Sequence, residues 1–177
     1  MALTTWDLDT VHSSVSFSVR HMVVAKTRGH FEKWGATLEL DPQNLAASKV
    51  TAKIEAASID TNEEKRDGHL RSADFLDVEK FPTIDFASTR FEVVSKEALR
   101  ITGNLSIRGV TKTVVLDTEF GGIAKDLWGG ERIGFTAKTK IDRKEFGLVW
   151  NQALEAGGVL VGDTVEITIE LEASRKL

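Results

Sequence analysis

Leu99-Arg100-Ile101-Thr102-Gly103-Asn104-Leu105-Ser106-Ile107 alternates apolar and polar residues without a break. That period of two marks a strand with one face buried and one face wet. The Arg108-Gly109 pair then separates it from the next strand. The same alternation recurs in both directions along the chain. Val15, Phe17 and Val19 interleave with Ser14, Ser16, Ser18 and Arg20, and Val50, Ala52, Ile54 and Ala56 interleave with Lys49, Thr51, Lys53 and Glu55. Ile133, Phe135, Ala137, Thr139 and Ile141 follow a Gly129-Gly130 hairpin signal; Val165, Ile167, Ile169 and Leu171 come last. Parallel sheets read as continuous apolar runs, so clean alternation indicates antiparallel strands. The pattern predicts an all-β, mainly antiparallel fold of about eight strands. Closure into a single up-and-down barrel removes the exposed edges.

One segment interrupts the alternation. Asp60 to Pro82 is polar in its first half and carries Leu70, Ala73, Phe75, Leu76, Val78 and Phe81 in its second. Thr61 with Glu64 three residues later has the spacing of a capping box, and Phe81-Pro82 returns the chain to an extended conformation. A short helical cap over one barrel end is predicted. A second non-alternating stretch, Glu145 to Gly162, has two readings: a loop packed over a barrel end, or a route inward lined by Phe146, Leu148, Trp150 and Leu154. Asp142 followed by Glu145 predicts a capped helical turn at its start.

The 177 residues fit one domain, 1–177, and 41% hydrophobic with 28% charged is ordinary globular composition. A net charge of −4, with both signs interleaved, argues against nucleic acid and against an anionic membrane surface. The absence of cysteine removes disulfides and thiolate metal sites. Met1-Ala2-Leu3-Thr4-Thr5-Trp6 lacks the basic and apolar regions of a signal peptide. The chain as it stands is expected to be cytoplasmic, or periplasmic only where a leader preceded it, and not membrane-spanning.

No catalytic set stands out. His12, His21 and His30 are assigned to separate strands and lack zinc spacing, so no metal is expected. Asp67 and Asp74, between Arg66 and Arg71, read as a salt-bridged helix surface, and His69 as a hydrogen-bonding anchor of the cap. There is no G-x-S-x-G and no dinucleotide fingerprint; Gly121-Gly122, Gly129-Gly130 and Gly157-Gly158 are expected at turns.

Residues 66–82, Arg66-Asp67-Gly68-His69-Leu70-Arg71-Ser72-Ala73-Asp74-Phe75-Leu76-Asp77-Val78-Glu79-Lys80-Phe81-Pro82, resemble the signature of the YceI-like family, departing chiefly at Leu76. Val15-x-Phe17-x-Val19-Arg20-His21, Gly103-x-Leu105-x-Ile107-Arg108-Gly109-Val110-Thr111-Lys112, Asp142-Arg143-Lys144-x-Phe146-Gly147, Trp150-Asn151, Gly157-Gly158 and Val161-Gly162-Asp163 extend the resemblance from Trp6 to about Ala173. It implies a lipocalin-like barrel that binds an isoprenoid, isoprenoid quinone or other long amphiphilic lipid. No cofactor is expected, and the lack of a catalytic set weighs against an enzyme. The resemblance also makes a homodimer plausible.

An eight-stranded barrel is wide enough to be filled by side chains or to hold one small ligand. Here Ala52, Ala56, Gly103 and Ala137 share the inward phase with large residues, and nine phenylalanines occur with no tyrosine. Both observations favour a hollow, apolar interior, although the small residues could simply accommodate neighbouring aromatics. The expected ligand contacts are Phe17, Val19, Phe31, Phe86, Gly103, Leu105, Phe135, Ala137 and Ile167 on the strands. Phe75 and Leu76 should close one end, Trp150 should flank the entrance, and His21 with Met22 should stand at the rim near a polar head. Phe31 is out of phase with Leu38 and Leu40, which calls for a bulge between them. Two rivals remain: a small barrel enzyme using Arg20, His21 or Asp142, and a ligand-free stress-response interaction module with a solid core.

Overall fold

The computed structural model describes residues 3–155 and 157–176. Eleven strand segments form one antiparallel sheet: β1 (Thr4–Leu8), β2 (Ser14–His21), β3 (Ala25–Phe31), β4 (Trp34–Leu40), β5 (Lys49–Glu55), β6 (Ile59–Asp60), β7 (Thr83–Val93), β8 (Ala98–Ile107), β9 (Val110–Lys125), β10 (Glu131–Asp142) and β11 (Val161–Arg175). The ring β1-β4-β5-β7-β8-β9-β10-β11 closes where β11 meets β1 again, so the molecule is a closed eight-stranded barrel.

Eleven segments make eight strands because three strands are broken. Along one edge of β11, Ser14–Val19 of β2 and then Asp7–Leu8 of β1 pair in succession. β1 and β2 are therefore two parts of one strand. β3 and β4 are likewise one strand interrupted at Glu32-Lys33, and β5 and β6 one strand interrupted by a 3-10 turn, Ala56–Ser58. Two of the breaks face each other: Glu32 N–H donates to Ser58 O at 3.1 Å, and Lys33 N–H donates to Ser58 Oγ at 3.1 Å. The expected bulge between Phe31 and Leu38 is thus a strand break. The two-residue bend lets Phe31, Leu38 and Leu40 all point inward despite their opposite parity.

Gly121-Gly122 also departs from expectation. The pair lies inside the 16-residue β9, where the register to β10 shifts, and not at a turn. Gly122 has φ +92°, and a Cβ on Gly121 would stand 3.3 Å from the Gly134 carbonyl oxygen. The glycines therefore absorb a bulge that bends a long strand around the barrel. The Arg108-Gly109 hairpin matches its sequence: both residues have positive φ, 51° and 73°, as a two-residue turn between twisted strands requires.

The interior has two regions. Trp6, Leu38, Leu40, Ile133 and Ala173 pack into a solid plug, each at most 2% exposed. The guanidinium of Arg175 lies 4.7 Å from the Trp6 ring and is paired with Glu131 at 2.7 Å. The larger region lies toward the other end, beneath the segment 61–82. Helix α1 (Glu64–Arg71) carries only one buried residue, Asp67, so it is held by what flanks it.

The β1–β2 break is pinned by charge. Arg132 donates to Asp9 at 2.8 Å and to Glu172 at 2.9 Å, while the His12 ring lies 2.8 Å from Asp9. The His12 hydrogen bond, reinforced by Arg132, brings the Asp9 carboxyl down to about 2, and Asp9 in turn raises His12 above its usual 6.5. The Asp9 contribution to stability is present above the ordinary carboxyl value of 3.8 and fades as pH falls toward 2. The His12 contribution is complete below 6.5 and is lost as pH rises through its raised folded value. The stability difference between the wild type and His12→Asn should accordingly be largest between those two ordinary values and shrink in alkaline solution. Thermal melts across pH measure it, and a difference that grows above neutrality would refute the linkage.

Candidate functional site

The larger interior region is hollow. Its cavity leaves about 240 Å³ of room for the centre of a water-sized sphere. A single water needs only about 10–15 Å³ on that measure, so this is far more than a packing defect. Thirty-six residues line it, and only Ser16, Thr118, Thr139 and Arg143 among them are polar. Phe17, Val19, Phe86, Phe135 and Ile167 line it yet are only half-buried. Part of their free surface is cavity wall.

Of the residues expected to meet a ligand, Phe17, Val19, Phe31, Phe75, Leu76, Phe86, Leu105, Phe135, Ala137 and Ile167 all border this cavity. Four do not. Gly103 has the inward phase, but a Cβ there would lie 2.4 Å from the Phe86 ring and 2.6 Å from the Ala87 carbonyl. The glycine exists to let β7 and the Phe86 ring come close, and it is covered by them. Trp150 packs instead against His69 and Phe75, with ring centroids 4.6 and 5.5 Å away. His21 ends β2, and Met22 stands at the exposed tip of the β2–β3 hairpin. Strand β2 last borders the cavity at Val19; His21 stands level with the lining Val161 without itself bordering the cavity, and Met22 lies beyond the strand.

The lid is assembled by arginines that donate to backbone carbonyls. Arg143, 3% exposed, donates to the carbonyls of Gly162 (2.7 Å), Trp150 (3.0 Å), Val161 (3.2 Å) and Leu148. It gathers both ends of the 147–162 connection onto one guanidinium. Burial pulls its pKa below the usual arginine value, with Asp163 at 3.9 Å and Asp142 acting in the opposite sense. The 3-10 turn that carries it, Arg143–Phe146, is capped by Asp142 and ends at Gly147 with φ +81°. Arg108 donates to Phe75 O at 2.9 Å and Gly147 O at 3.2 Å, tying the two halves of the lid together. Phe146 is 1% exposed and packs in the core away from the cavity wall, whereas Leu148 reaches it; Leu154 does not.

The start of α1 differs from the expected capping box. Glu63 is the N-cap, its carboxylate accepting from Arg66 N–H. Thr61 is buried and donates both its N–H, at 2.9 Å, and its hydroxyl to Asp67. Arg66 donates to the Thr61 hydroxyl oxygen and carbonyl, each at 2.7 Å. Asp67 is therefore a buried latch, 3% exposed, and not part of a salt-bridged surface. Its neighbour Asp74 pairs with His69 at 2.8 Å, and His69 sits edge-on to Phe75 and Trp150. These lattices of donors were the part that sequence reasoning missed. The sequence carried no clear signal for them, because the carboxylates beside Arg66 and Arg143 (Glu63, Asp67 and Asp142) invite an ion-pair reading.

Two further clusters hold a histidine and two carboxylates. At Asp9, His12 and Glu172 a guanidinium already bridges the acids. At His30, Glu32 and Asp60 the imidazole is 3.9 Å from both acids, and His30 and Glu32 are exposed. One wall feature is open. Between the Trp6–Leu38 pair and the Ser16–His30 pair the broken strands share no ladder. A trough runs there past Thr10, Ser13 and Ser14, and Phe31, Trp34 and Ala36 border both it and the cavity.

A closed antiparallel barrel with an apolar cavity and a latched lid defines a ligand-enclosing barrel. The chain belongs to the YceI-like family, whose domain matches residues 6–173. A UPF0312 protein of Staphylococcus aureus (strain N315) is 35% identical over 173 residues, covering 97% of this chain and 98% of the relative. The crystal structure of Burkholderia cenocepacia BcnA superposes with a TM-score of 0.81 at 24% identity, over 94% of this chain and 99% of that one. A polyisoprenoid-binding domain from Saccharophagus degradans superposes with a TM-score of 0.70 at 13% identity, over 95% and 97% of the two chains. No helix among the described residues is long and apolar enough to cross a membrane.

Replacing Arg143 with methionine should remove the guanidinium donor from the carbonyls of Leu148, Trp150 and Gly162, while Val161 O keeps Asn151 Nδ2 at 2.8 Å. An unsatisfied buried acceptor costs about 1–3 kcal/mol, and the losses here are not additive. A loss on the order of 3 kcal/mol in urea unfolding is expected, together with faster amide exchange across residues 148–162. An unchanged midpoint would show that the lid is held by its apolar contacts.

Proposed function

We propose that this protein encloses one long apolar molecule, an isoprenoid chain or isoprenoid quinone, inside the barrel and acts as its carrier, store or sequestering agent. The observation that carries this reading is the cavity: about 240 Å³, walled by thirty-six residues of which four are polar. Pockets for polar metabolites place several convergent hydrogen-bonding groups in an apolar wall. Here the one charged lining residue, Arg143, spends its guanidinium on backbone carbonyls. The polyisoprenoid-binding description of the Saccharophagus degradans domain, which shares the fold, agrees with the ligand class.

At a ceiling of about 0.3 kcal/mol per atom, a ligand of roughly 40 heavy atoms could gain at most on the order of 12 kcal/mol, which is compatible with tight binding without an ionic anchor. The alternative of a small barrel enzyme is less well supported. Arg20, His21 and Asp142 do not border the cavity, and Asp142 is occupied in capping the Arg143 turn. A ligand-free module with a solid core is disfavoured by the cavity itself.

Organic extraction or native mass spectrometry of the purified protein should reveal a bound isoprenoid, or show uptake of an added isoprenoid quinone. Ala137 is 6% exposed and lines the cavity from β10, between Thr118 and Ile169. Ala137→Trp should keep the barrel folded by circular dichroism and reduce uptake by roughly ten-fold or more, since overpacking consumes the space the ligand needs. A folded variant that loads like the wild type would refute binding at this position.

A further inference from the structure

We infer that the tip of the β2–β3 hairpin docks the protein on an anionic lipid bilayer. Met22, Val23 and Val24 are three consecutive apolar residues at 46%, 59% and 83% exposure. Met22 and Val23 have φ of 53° and 67°, in the left-handed region that a β-branched side chain rarely adopts. Gly, Asn and Asp are the residues that adopt this backbone most readily, so the tip keeps its apolar side chains against local preference. Val159, 41% exposed, extends the surface from the neighbouring loop, which is joined to the tip through Met22 N–H donating to Leu160 O at 2.8 Å.

Below the tip stands a cationic collar. Arg20 and Lys26 are cross-strand partners, and Arg28 follows two residues on, opposite Ser18. All three are exposed. Lys26 reaches Glu166 at 3.5 Å, but among the described residues neither Arg20 nor Arg28 has a carboxylate within ion-pair distance. Apolar residues that enter the acyl boundary, above cations at headgroup depth, are the arrangement by which a surface binds an anionic membrane. The net charge of −4 argues against such a surface for the molecule as a whole, so the inference rests on the collar itself. Charges more than about 8–10 Å away are screened at physiological salt, and Glu166 within the collar is paired with Lys26.

Place in the fold favours this tip over the other exposed one. Leu127 and Trp128, 92% and 83% exposed, lie on the β9–β10 hairpin at the opposite end, beyond the Trp6 plug, and share their turn with Asp126. The β2–β3 tip instead continues directly from Val19 and Val161, where the cavity wall ends. A docked barrel would present that end of its cavity to the bilayer, from which an apolar ligand must be drawn. The inference extends the carrier reading, but its test needs no ligand, so either can fail alone.

The full-length protein is sedimented with vesicles of equimolar phosphatidylcholine and phosphatidylglycerol, and with phosphatidylcholine alone. Binding to the anionic vesicles, weakened by salt, is expected. A Val23→Asp/Val24→Asp variant should bind roughly ten-fold or more weakly; aspartate tolerates left-handed backbone, so its melting temperature should hold. Arg20→Gln/Arg28→Gln should bind anionic vesicles no better than neutral ones. Absence of wild-type binding, full binding by the valine variant, or loss confined to Leu127→Asp/Trp128→Asp would each overturn the inference. So would analytical ultracentrifugation showing a dimer that the valine variant dissolves, if vesicle binding is absent.

Discussion

Everything in this molecule depends on closure of the sheet through β11. That strand pairs with β10 along twelve residues on one side and with β2, then β1, on the other. A barrel filled with side chains can be held by its core. This one leaves a hollow at its centre, and the residues around the hollow lack partners on one side, which forfeits dispersion energy. The shape must then be carried by the wall, where closure pairs the long strand edges and leaves the trough at the strand breaks unpaired. The broken strands are tolerable because β11 spans the β1–β2 break without interruption.

The second requirement is a lid, and it accounts for many of the charged residues at that end of the barrel. Connections that cross a barrel end bury carbonyl groups that no strand can satisfy. Arg66, Arg108 and Arg143 each donate to such carbonyls, and Asp67 receives the Thr61 N–H and hydroxyl. A guanidinium suits this task because its planar fork presents five donors and keeps its charge when buried. Arg143 gathers four carbonyls from the two ends of the 147–162 connection. The same groups, seen as a list of arginines and aspartates, look like a catalytic or ion-binding set.

The division between plug and hollow connects packing to function. Trp6, Leu38, Leu40, Ile133 and Ala173 fill one end to near-complete burial, supplying stability where no ligand need pass. The other end uses separable parts: a short helix with almost no apolar face, a loop closed by one arginine, and the His69–Phe75–Trp150 contact between them. Elements held by a few polar latches open at lower free energy than a ladder of long strands. The lid is thereby the part that opens most readily, while the long strands of the wall stay paired.

Alternation in the sequence was sufficient for the antiparallel barrel, because side chains on a strand point to opposite faces with a period of two and no tertiary information is needed to see it. It also placed Phe17, Val19, Phe86, Leu105, Phe135, Ala137 and Ile167 on the inward face, and the apolar half of residues 60–82 marked Phe75 and Leu76 as a cap. Phase does not report what lies opposite, however. Gly103 is inward but covered by the Phe86 ring, and Trp150 turns to His69 and not to the cavity. The strand breaks at residues 9–13, 32–33 and 56–58, the shift of the helix cap from Thr61 to Glu63, and the four carbonyls on Arg143 all join segments distant in the chain or compete with a local signal. Local patterns determine which face a residue takes; only the folded chain determines which neighbour it meets there.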